Sequence, residues 1–298
     1  ALISSMIELF HTSSSKDVLP RPRLVRGRFA YSSADGSSPE DSTMPLVTDD
    51  RLFDQCGIRI AFTEREGGVS RGCYSSLDLA THVNDDPTAV EQNRRRLCSA
   101  LDICDDPLVV PRQVHGNHVV AFASDHGAAF DDALNEAHEG ADALVVSVPH
   151  VAAMLCFADC TPVILVAPGG MFAVIHAGWR GVVAHVVVNA LNVLCRTASC
   201  SAQSCNAYIG AHIRSECFEV GPEVVDRFRA EFGDAGIRDA RHVEMGDALR
   251  ADLMRHGVDV ARIVELESCT HCSNDRFFSY RAQHGMCGRH AAIAVRSN

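Results

Sequence analysis

The chain has 298 residues, of which 47% are hydrophobic and 22% are charged, a composition typical of a globular protein with a substantial core. Its formal net charge of −11 argues against a general nucleic-acid-binding surface. No apolar run approaches the roughly 18 residues without polar interruption that a transmembrane helix requires. We therefore predict neither a nucleic-acid partner nor a membrane partner.

The first 50 residues differ in composition from the rest. The stretches 12–17 and 32–43 are rich in Ser, Asp, Gly and Pro, which predicts a flexible, disordered leader over residues 1–50 and one folded domain over 51–298. Lys16 is the only lysine in the sequence. An anion bound in the domain must therefore contact arginine, histidine or a backbone amide.

Regular patterns of apolar residues begin near Leu52 and predict both strands and helices. His185 lies on the polar side of one predicted helix, where we expect it to be solvated. Mixed strands and helices with a hairpin favour an α+β class, a single domain of mixed β-sheets with flanking helices, over a doubly wound parallel sheet. In chain order, and apart from a hairpin over 162–176, the predicted elements are a strand over 58–63, a helix over 88–101, strands over 108–110 and 118–123, a helix over 179–196, a strand over 208–210, helices over 222–232 and 247–256, and strands over 263–266 and 291–296.

The most informative segment is a predicted β-hairpin. Residues 162–167 and 171–176 are apolar strands around a Pro-Gly-Gly turn. Pairing Ala167 with Met171 places His176 opposite Pro162, and Cys160 one diagonal step away. Diagonal neighbours in a sheet lie about 7–8 Å apart, close enough to share a metal ion.

Cys160 and His176 are thus candidate metal ligands, and His115 in the Gln-Val-His-Gly loop is a third. Three nitrogen and sulfur ligands would leave zinc one open position, as in catalytic sites. Taken singly, however, each residue also fits ordinary packing or a hydrogen-bonded core histidine, and the spacing alone does not bring His115 to the hairpin.

The Cys-x-x-Cys sequence at 269–272 is a weaker signal. A second such pair is missing, so a zinc ribbon is not indicated, and the strand–helix context of a redox pair is also missing. We expect Cys269 and Cys272 to be partly buried thiols near the site, either of which could act as a fourth metal ligand.

All thirteen cysteines are predicted to be free. Their number is odd, they are scattered through the sequence, and the first residues lack the pattern of a secretion signal. Free thiols are typical of a reducing compartment, which predicts a cytoplasmic location.

Arginines in turn-like contexts are candidate anion ligands, because the guanidinium group can bind phosphate in a bidentate manner. Arg65, Arg180, Arg281 and Arg289 stand in such contexts. P-loop, dinucleotide-binding and zinc-deaminase signatures are absent from the sequence. The His-x-His pairs expected around clustered copper ions are also absent.

The ordered motifs of residues 52–298 resemble the purine nucleoside phosphorylase family formerly called laccase-domain or polyphenol oxidase proteins. The motifs Gln-Val-His-Gly, Ala-Asp-Cys and His-Ala-Gly-Trp-Arg-Gly, in that order, are highly specific. The matching stretches are FTEREGGVSRGCYSSLDLATHVNDDP (62–87), RQVHG (112–116), ADALVVS (141–147), ADCTPVIL (158–165), HAGWRG (176–181), IGAHIRSECFEVG (209–221) and CTHCSNDRFFSYRAQHGMCGR (269–289).

The resemblance implies that His115, Cys160 and His176 bind zinc and are the catalytic residues. It also implies phosphorolysis of adenosine, with inosine, guanosine and methylthioadenosine as further substrates and adenosine deamination as an added activity. We expect Arg65, Arg281 and Arg289 to bind phosphate. The expected partners are thus a purine nucleoside and phosphate, and the sequence leaves the oligomeric state open.

Three departures from the family pattern bear on substrate preference. Asp78 replaces an asparagine, Glu64 stands where a threonine is common, and residues 281–285 depart from Arg-Arg-Asp-Gly. An extra carboxylate near a phosphate site would disfavour the anion.

Other functions stay open from the residues alone. They are a copper-dependent polyphenol oxidase, a hydrolase in which Cys160 is the nucleophile and His176 its base, and a non-catalytic binding protein with a structural zinc ion.

Overall fold

The computed structural model describes residues 18–32 and 42–297, which form two six-stranded sheets with helices on both outer sides. The strands are β1 (Val25–Ala30), β2 (Thr43–Thr48), β3 (Ile58–Thr63), β4 (Leu108–Val109), β5 (Val119–Phe122), β6 (Ala143–Val146), β7 (Ala152–Phe157), β8 (Thr161–Val166), β9 (Phe172–Ala177), β10 (Asn206–Ile209), β11 (Ile263–Glu265) and β12 (His290–Arg296). The helices are α1 (Asp50–Cys56), α2 (Pro87–Leu101), α3 (Ala128–Gly140), α4 (Trp179–Val183), α5 (Val186–Ala198), α6 (Pro222–Phe232) and α7 (Met245–Arg255).

The first sheet has the strand order β1-β2-β3-β12-β7-β4, and the second has the order β11-β10-β8-β9-β6-β5. Both are mixed, with the parallel pairs β4–β7, β5–β6 and β10–β11 among antiparallel neighbours. The predicted α+β class with mixed sheets and flanking helices is confirmed.

Three layers of apolar side chains hold the sheets and helices together. One fills the space between the two sheets and includes Phe62, Phe157 and Val174. A second packs the outer face of the second sheet against α5, α6 and α7, for example through Leu191 and Phe228. The third packs the outer face of the first sheet against α2. Burial of these side chains at about 25 cal/mol per Å² is the main driving force for this arrangement.

The predicted flexible leader over residues 1–50 is wrong for the two parts that the structure describes. β1 and β2 pair with each other in register from Val25–Thr48 to Ala30–Thr43, and β2 pairs with β3 of the predicted domain. Met44 and Leu46 are fully buried, which explains why the segment folds. Residues 1–17 and 33–41 of the leader lie outside the described residues.

The helix predicted over 179–196 is also corrected, because it is broken into α4 and α5. His185 adopts a left-handed conformation (φ 56°) at the break, and its ring nitrogens bind Asp252 Oδ2 (2.7 Å) and Glu231 Oε2 (3.1 Å). It is therefore an ion-paired linker between helices, not a merely solvated residue.

Within the described ranges, none of the helices is both long and apolar enough to cross a bilayer.

Candidate active site

The predicted hairpin is confirmed in its register. β8 pairs with β9 so that Pro162 is opposite His176, and the amide of Ala167 donates to the carbonyl of Met171 at 2.8 Å. Cys160 lies just before β8, in the short crossover by which the chain passes from β7 in the first sheet to β8 in the second. The hairpin therefore delivers a thiol and an imidazole to the same open end of the sheets.

His115 joins these two residues in space, as the resemblance implied. One ligand atom each from His115, Cys160 and His176 lies within 4.8 Å of the others, and the two imidazole rings meet edge-on with centroids 4.8 Å apart. His115 has φ 58°, so its loop turns sharply to present the ring. This brings a side chain from a loop remote in sequence to the hairpin.

Asp142 organises the cluster, although no sequence motif singled it out. Its carboxylate accepts the backbone amides of Val114 (3.2 Å), His115 (3.0 Å) and Gly116 (2.7 Å). The same group accepts a hydrogen bond from His176 Nδ1 at 2.8 Å. Because Nδ1 is engaged, Nε2 is the nitrogen of His176 that can face a metal.

Asp142 is fully buried immediately before β6, in the segment Ala-Asp-Ala-Leu-Val-Val. A carboxylate next to a wholly buried strand must be hydrogen-bonded or paired with a charge. The position of Asp142 directly before an apolar run was therefore the sequence signal for its role. Burial favours the neutral acid, but the His176 imidazole and the loop amides lower the pKa of Asp142 below its usual value.

Gly178 leaves the space in which the three donors meet. A Cβ atom at this position would lie 3.0 Å from Cys160 Sγ and 3.0 Å from His115 Cδ2. The first glycine of the His-Ala-Gly-Trp-Arg-Gly motif is thus required by close approach to the cluster. Two imidazoles and a thiol, with a carboxylate behind one imidazole, fit a zinc ion in type and number.

The cluster favours a thiolate. Burial alone would raise the pKa of Cys160, but the neighbouring His176 charge and the hydrogen bonds from His115 and His176 lower it to about 6. Burial would lower the pKa of His176, but the Cys160 thiolate and the Asp142 carboxylate raise it to about 9. A thiolate is the form that binds metals, and binding would displace the imidazole proton.

The cluster opens into a cleft of about 400 Å³. Two of the three predicted phosphate ligands, Arg281 and Arg289, line this cleft together with Phe218 and Tyr280. Arg65 does not line it. Its guanidinium lies 4.4 Å from the Phe278 ring centroid and donates to the carbonyls of Ser75 (2.8 Å) and Asn274 (2.6 Å), so it links loops behind the cleft.

Asp159, beside Cys160, ties the crossover to the opposite wall. Its backbone has φ 88°, a conformation uncommon for a residue with a Cβ atom. Its carboxylate accepts hydrogen bonds from the Thr270 hydroxyl (2.7 Å) and from the Arg281 amide (2.7 Å). These two contacts hold the strained turn that presents Cys160.

The two substituted carboxylates lie outside the cleft lining. Glu64, 1% exposed, is paired with Arg26 (2.6 Å) and Arg276 (2.6 Å), so its charge is neutralised. Asp78 accepts the amides of Ala80 and Arg289, and burial raises its pKa to about 6. The repulsion of phosphate that an extra carboxylate would cause is therefore reduced at Glu64 by its ion pairs, and Asp78 is kept out of the cleft by its burial.

Cys269 is buried and Cys272 is exposed, so they are not both the partly buried thiols that the sequence predicts, and neither is a fourth ligand of the first cluster. Among the described residues, they form a separate group with Cys217 and Glu216 and do not belong to the group of His115, Cys160 and His176. The sequence could not indicate this, because Cys217 lies about fifty residues upstream in a loop.

Comparisons with known proteins identify the family of the chain. A family model described as multi-copper polyphenol oxidoreductase laccase matches residues 59–297. "Adenosine deaminase RL5", from an unknown prokaryotic organism, is 36% identical over 230 residues, which cover 74% of this chain and 87% of that protein. "Purine nucleoside phosphorylase YlmD" of Geobacillus stearothermophilus is 32% identical over 249 residues, covering 80% of this chain and 90% of that protein. The crystal structure of YlmD from the same organism superimposes with a TM-score of 0.75 at 28% identity, covering 91% of this chain and all of that one.

Proposed function

Because the chain belongs to the multi-copper polyphenol oxidoreductase laccase family and is similar to proteins named purine nucleoside phosphorylase, we propose that it cleaves purine nucleosides with phosphate. The proposed substrates are adenosine first, then inosine, guanosine and methylthioadenosine. The observation that carries this proposal is the group of His115, Cys160 and His176 at the base of a cleft that also contains Arg281 and Arg289.

The three grouped side chains are the proposed ligands of a zinc ion, with copper as the alternative metal. A zinc ion held there would supply Lewis-acid chemistry to the cleft. Asp142 holds His176 in the tautomer that leaves Nε2 free, and its contacts with the Val114–Gly116 amides hold His115 in place. Asp142 thus contributes by orienting two of the proposed metal ligands.

Arg281 and Arg289 are the proposed phosphate ligands. Arg281 is fixed by its Nη1 and Nη2 donating to the carbonyls of Cys217 (3.3 Å) and Glu219 (3.1 Å). Arg289 is fixed by Nη1 donating to the carbonyl of Cys287 at 2.7 Å. Fixed guanidinium groups bind a phosphate dianion with little loss of side-chain entropy and orient it for attack.

In the proposed reaction, a phosphate oxygen forms a bond to C1′ of the ribose while the bond from C1′ to the purine nitrogen breaks. The bonding electrons leave with the purine, which takes up the proton that hydrogen phosphate gives up, so adenosine gives adenine and ribose-1-phosphate. Phe218 and Tyr280 provide aromatic surface in the same cleft for the purine ring. The cationic arginines also balance the charge of the phosphate as it attacks.

Adenosine deamination is a second candidate, because the relative that is 36% identical is named an adenosine deaminase. In that reaction water replaces the amino group on the purine, and inosine and ammonia are the products. Oxidation of a polyphenol with copper is a third candidate, suggested by the family description. Product analysis separates the three.

The phosphate assignment is tested with Arg289→Met and Arg281→Met in steady-state assays at varied phosphate. Loss of one charge-assisted contact, worth about 1.5–3 kcal/mol, predicts a KM for phosphate raised about 10- to 100-fold with a smaller change in KM for adenosine. Arg180→Met is the matched control, because Arg180 is exposed and packs on Trp179 at 4.4 Å, outside the cleft. An unchanged KM for phosphate in both cleft variants would refute the assignment.

A further inference from the structure

A second group of metal-binding side chains lies beside the cleft. One ligand atom each from Glu216, Cys217, Cys269 and Cys272 lies within 4.8 Å of the others, and the Cys217 and Cys272 sulfurs are 3.3 Å apart. Cys217 and Cys269 are partly or fully buried, whereas Glu216 and Cys272 are exposed. Two donors of the group are therefore at least partly buried, and the two exposed donors make the group accessible from solvent.

Two chain segments are folded so that these donors converge. The segment Arg214–Phe218 forms a turn in which the amides of Cys217 and Phe218 both donate to the Arg214 carbonyl at 2.9 Å. The segment Cys269–Ser273 forms a second turn, closed by the Ser273 amide donating to the Cys269 carbonyl at 2.9 Å. The Cys-x-x-Cys spacing therefore places both sulfurs on the inside of one turn, facing the first.

Cys269 is surrounded by donors suited to a thiolate. The Arg214 amide donates to its sulfur at 3.4 Å, and the amides of His271 and Cys272 also donate to it. Burial outweighs these hydrogen bonds and raises the pKa of the Cys269 thiol, so its proton would leave as a metal ion binds. Backbone amides arranged around a sulfur at a Cys-x-x-Cys turn stabilise its negative charge, which is the form that coordinates metals.

The spacing fits a tetrahedral ion better than it fits a disulfide. Zinc–sulfur bonds of about 2.3 Å place tetrahedral sulfur ligands about 3.8 Å apart. The 3.3 Å between Cys217 and Cys272 is near that value and well beyond the ~2.05 Å of a disulfide bond. A fourth donor, the Glu216 carboxylate, completes the number that closed structural zinc sites require.

We propose that Cys217, Cys269, Cys272 and Glu216 bind a structural zinc ion, separate from the centre at His115, Cys160 and His176. Binding replaces the three thiol protons, which pass to solvent, with three zinc–sulfur bonds and involves no oxidation. Zinc is favoured over harder ions because thiolates are soft ligands.

Such an ion would brace one wall of the cleft. Phe218, next to Cys217, lines the cleft, and the Cys217 carbonyl accepts a hydrogen bond from Arg281 at 3.3 Å. The Cys269–Ser273 turn contains Thr270, whose hydroxyl donates to Asp159 beside Cys160. The ion would therefore join two loops that each contact the residues around the first centre.

A third cysteine group, Cys195, Cys200 and Cys205, is a weaker candidate for the same role. The sulfurs of Cys195 and Cys200 lie 3.8 Å and 3.7 Å from Cys205 Sγ. This group, however, offers only three donors among the described residues, and Cys205 is fully buried. It provides a useful comparison, because it contains the same number of thiols without a carboxylate.

The test is the zinc content of the full chain, purified under reducing conditions with zinc present and measured by elemental mass spectrometry. We expect two zinc ions per chain in the native protein, one in Cys272→Ser, one in His176→Ala and none in the double variant. Cys104→Ser is the matched control, because Cys104 is exposed and outside all three groups, and it should retain two. Cys217→Ser, tested in parallel, should also retain one.

Cobalt substitution gives an independent readout, because thiolate-to-cobalt absorption grows with the number of thiolates. Cys272→Ser should lose most of that absorption, whereas His176→Ala should lose little. A single zinc ion in the native protein, lost in His176→Ala, would overturn the proposal. So would a second ion that survives in Cys272→Ser but is lost in Cys205→Ser. A native mass about 2 Da low, from a Cys217–Cys272 disulfide formed despite zinc and reductant, would also overturn it.

Discussion

The Oδ1 atom of Asp142 lies 2.8 Å from Nδ1 of His176, and the same carboxylate accepts the amide of His115 at 3.0 Å. One buried charge therefore positions two of the three candidate metal ligands, one through its side chain and one through its backbone. This arrangement holds a loop and a hairpin that are distant in sequence in a common geometry.

Asp142→Asn is predicted to weaken zinc binding about 10- to 100-fold, as is usual when a carboxylate behind a ligating histidine is lost. The amide that replaces the carboxylate cannot accept hydrogen bonds from both the imidazole and three backbone amides. Competition with a chromogenic chelator measures the affinity. Glu136→Gln, which alters an exposed carboxylate paired with His118, is the control and should bind as the native protein does. Equal affinity in all three proteins would contradict the positioning role of Asp142.

Gly178→Ala is predicted to remove zinc binding at the first centre while leaving the fold intact. The new methyl group would stand 3.0 Å from both Cys160 Sγ and His115 Cδ2, which forces the ligands apart. Gly116→Ala is the matched control, because its added methyl group meets its nearest neighbours at 3.6 Å, an ordinary contact. Zinc titration followed by calorimetry, with circular dichroism for the fold, distinguishes the two. Native affinity in Gly178→Ala would show that the cluster has more room than the structure indicates.

Glu244 is predicted to make the free energy of unfolding decrease as the pH falls into the acid range. Burial would raise its pKa, but His212, the Ser215 amide and Arg214 lower it to about 2. A carboxyl group with a lowered folded-state pKa stabilises the protein above its unfolded pKa of about 4.3, and this contribution is lost as the pH falls towards 2. The contribution at pH 7 is on the order of 3 kcal/mol.

Urea unfolding of the native protein and of Glu244→Gln at pH 7, 4 and 3 measures this effect. The free energy of unfolding should differ most at pH 7, and the difference should shrink at pH 4 and again at pH 3. Glu91→Gln, at an exposed carboxylate paired with Arg95, should show little difference at any pH. A difference between native protein and Glu244→Gln that is constant with pH would contradict the assignment.

Arg26→Met tests whether β1 belongs to the folded domain. Arg26 pairs with Glu64, which is 1% exposed and also binds Arg276, so the buried carboxylate would keep Arg276 as its one charged partner among the described residues. Since Arg26 is 48% exposed, solvent screening limits the expected loss to about 1–2 kcal/mol in the free energy of unfolding. Arg28→Met, on the same strand but paired with exposed Glu66, should cost less than about 0.5 kcal/mol. Equal losses of unfolding free energy in the two variants would mean that the ion pair with buried Glu64 stabilises the protein no more than the exposed pair does.

Much of the site follows from local patterns in the sequence. The register of β8 and β9 is determined by a short turn between apolar strands, so the approach of Cys160 and His176 could be deduced from spacing alone. His115 could not, because its place depends on Asp142, a partner 27 residues away whose role appears only when β6 is buried. The resemblance to a family supplied what the spacing lacked.

The N-terminal strands were missed for a different reason. β1 has the sequence Val-Arg-Gly-Arg-Phe-Ala, with a half-buried and exposed alternation typical of an edge strand. The composition that predicted a leader belongs to the stretches 12–17 and 32–43 on either side of it. The stability of β1 comes from pairing with β2 and from the contact of Arg26 with Glu64, both tertiary. Cys217 likewise meets Cys269 and Cys272 only through the packing of two turns, which spacing along the chain cannot reveal.

The most direct test of the proposed function is to incubate the purified, zinc-loaded protein with adenosine, with and without phosphate, and to separate the products by chromatography beside His176→Ala. We predict adenine and ribose-1-phosphate from the native protein only when phosphate is present, and neither product from His176→Ala. Inosine formed regardless of phosphate would make the protein chiefly a deaminase. No turnover of any purine nucleoside would contradict the proposed function.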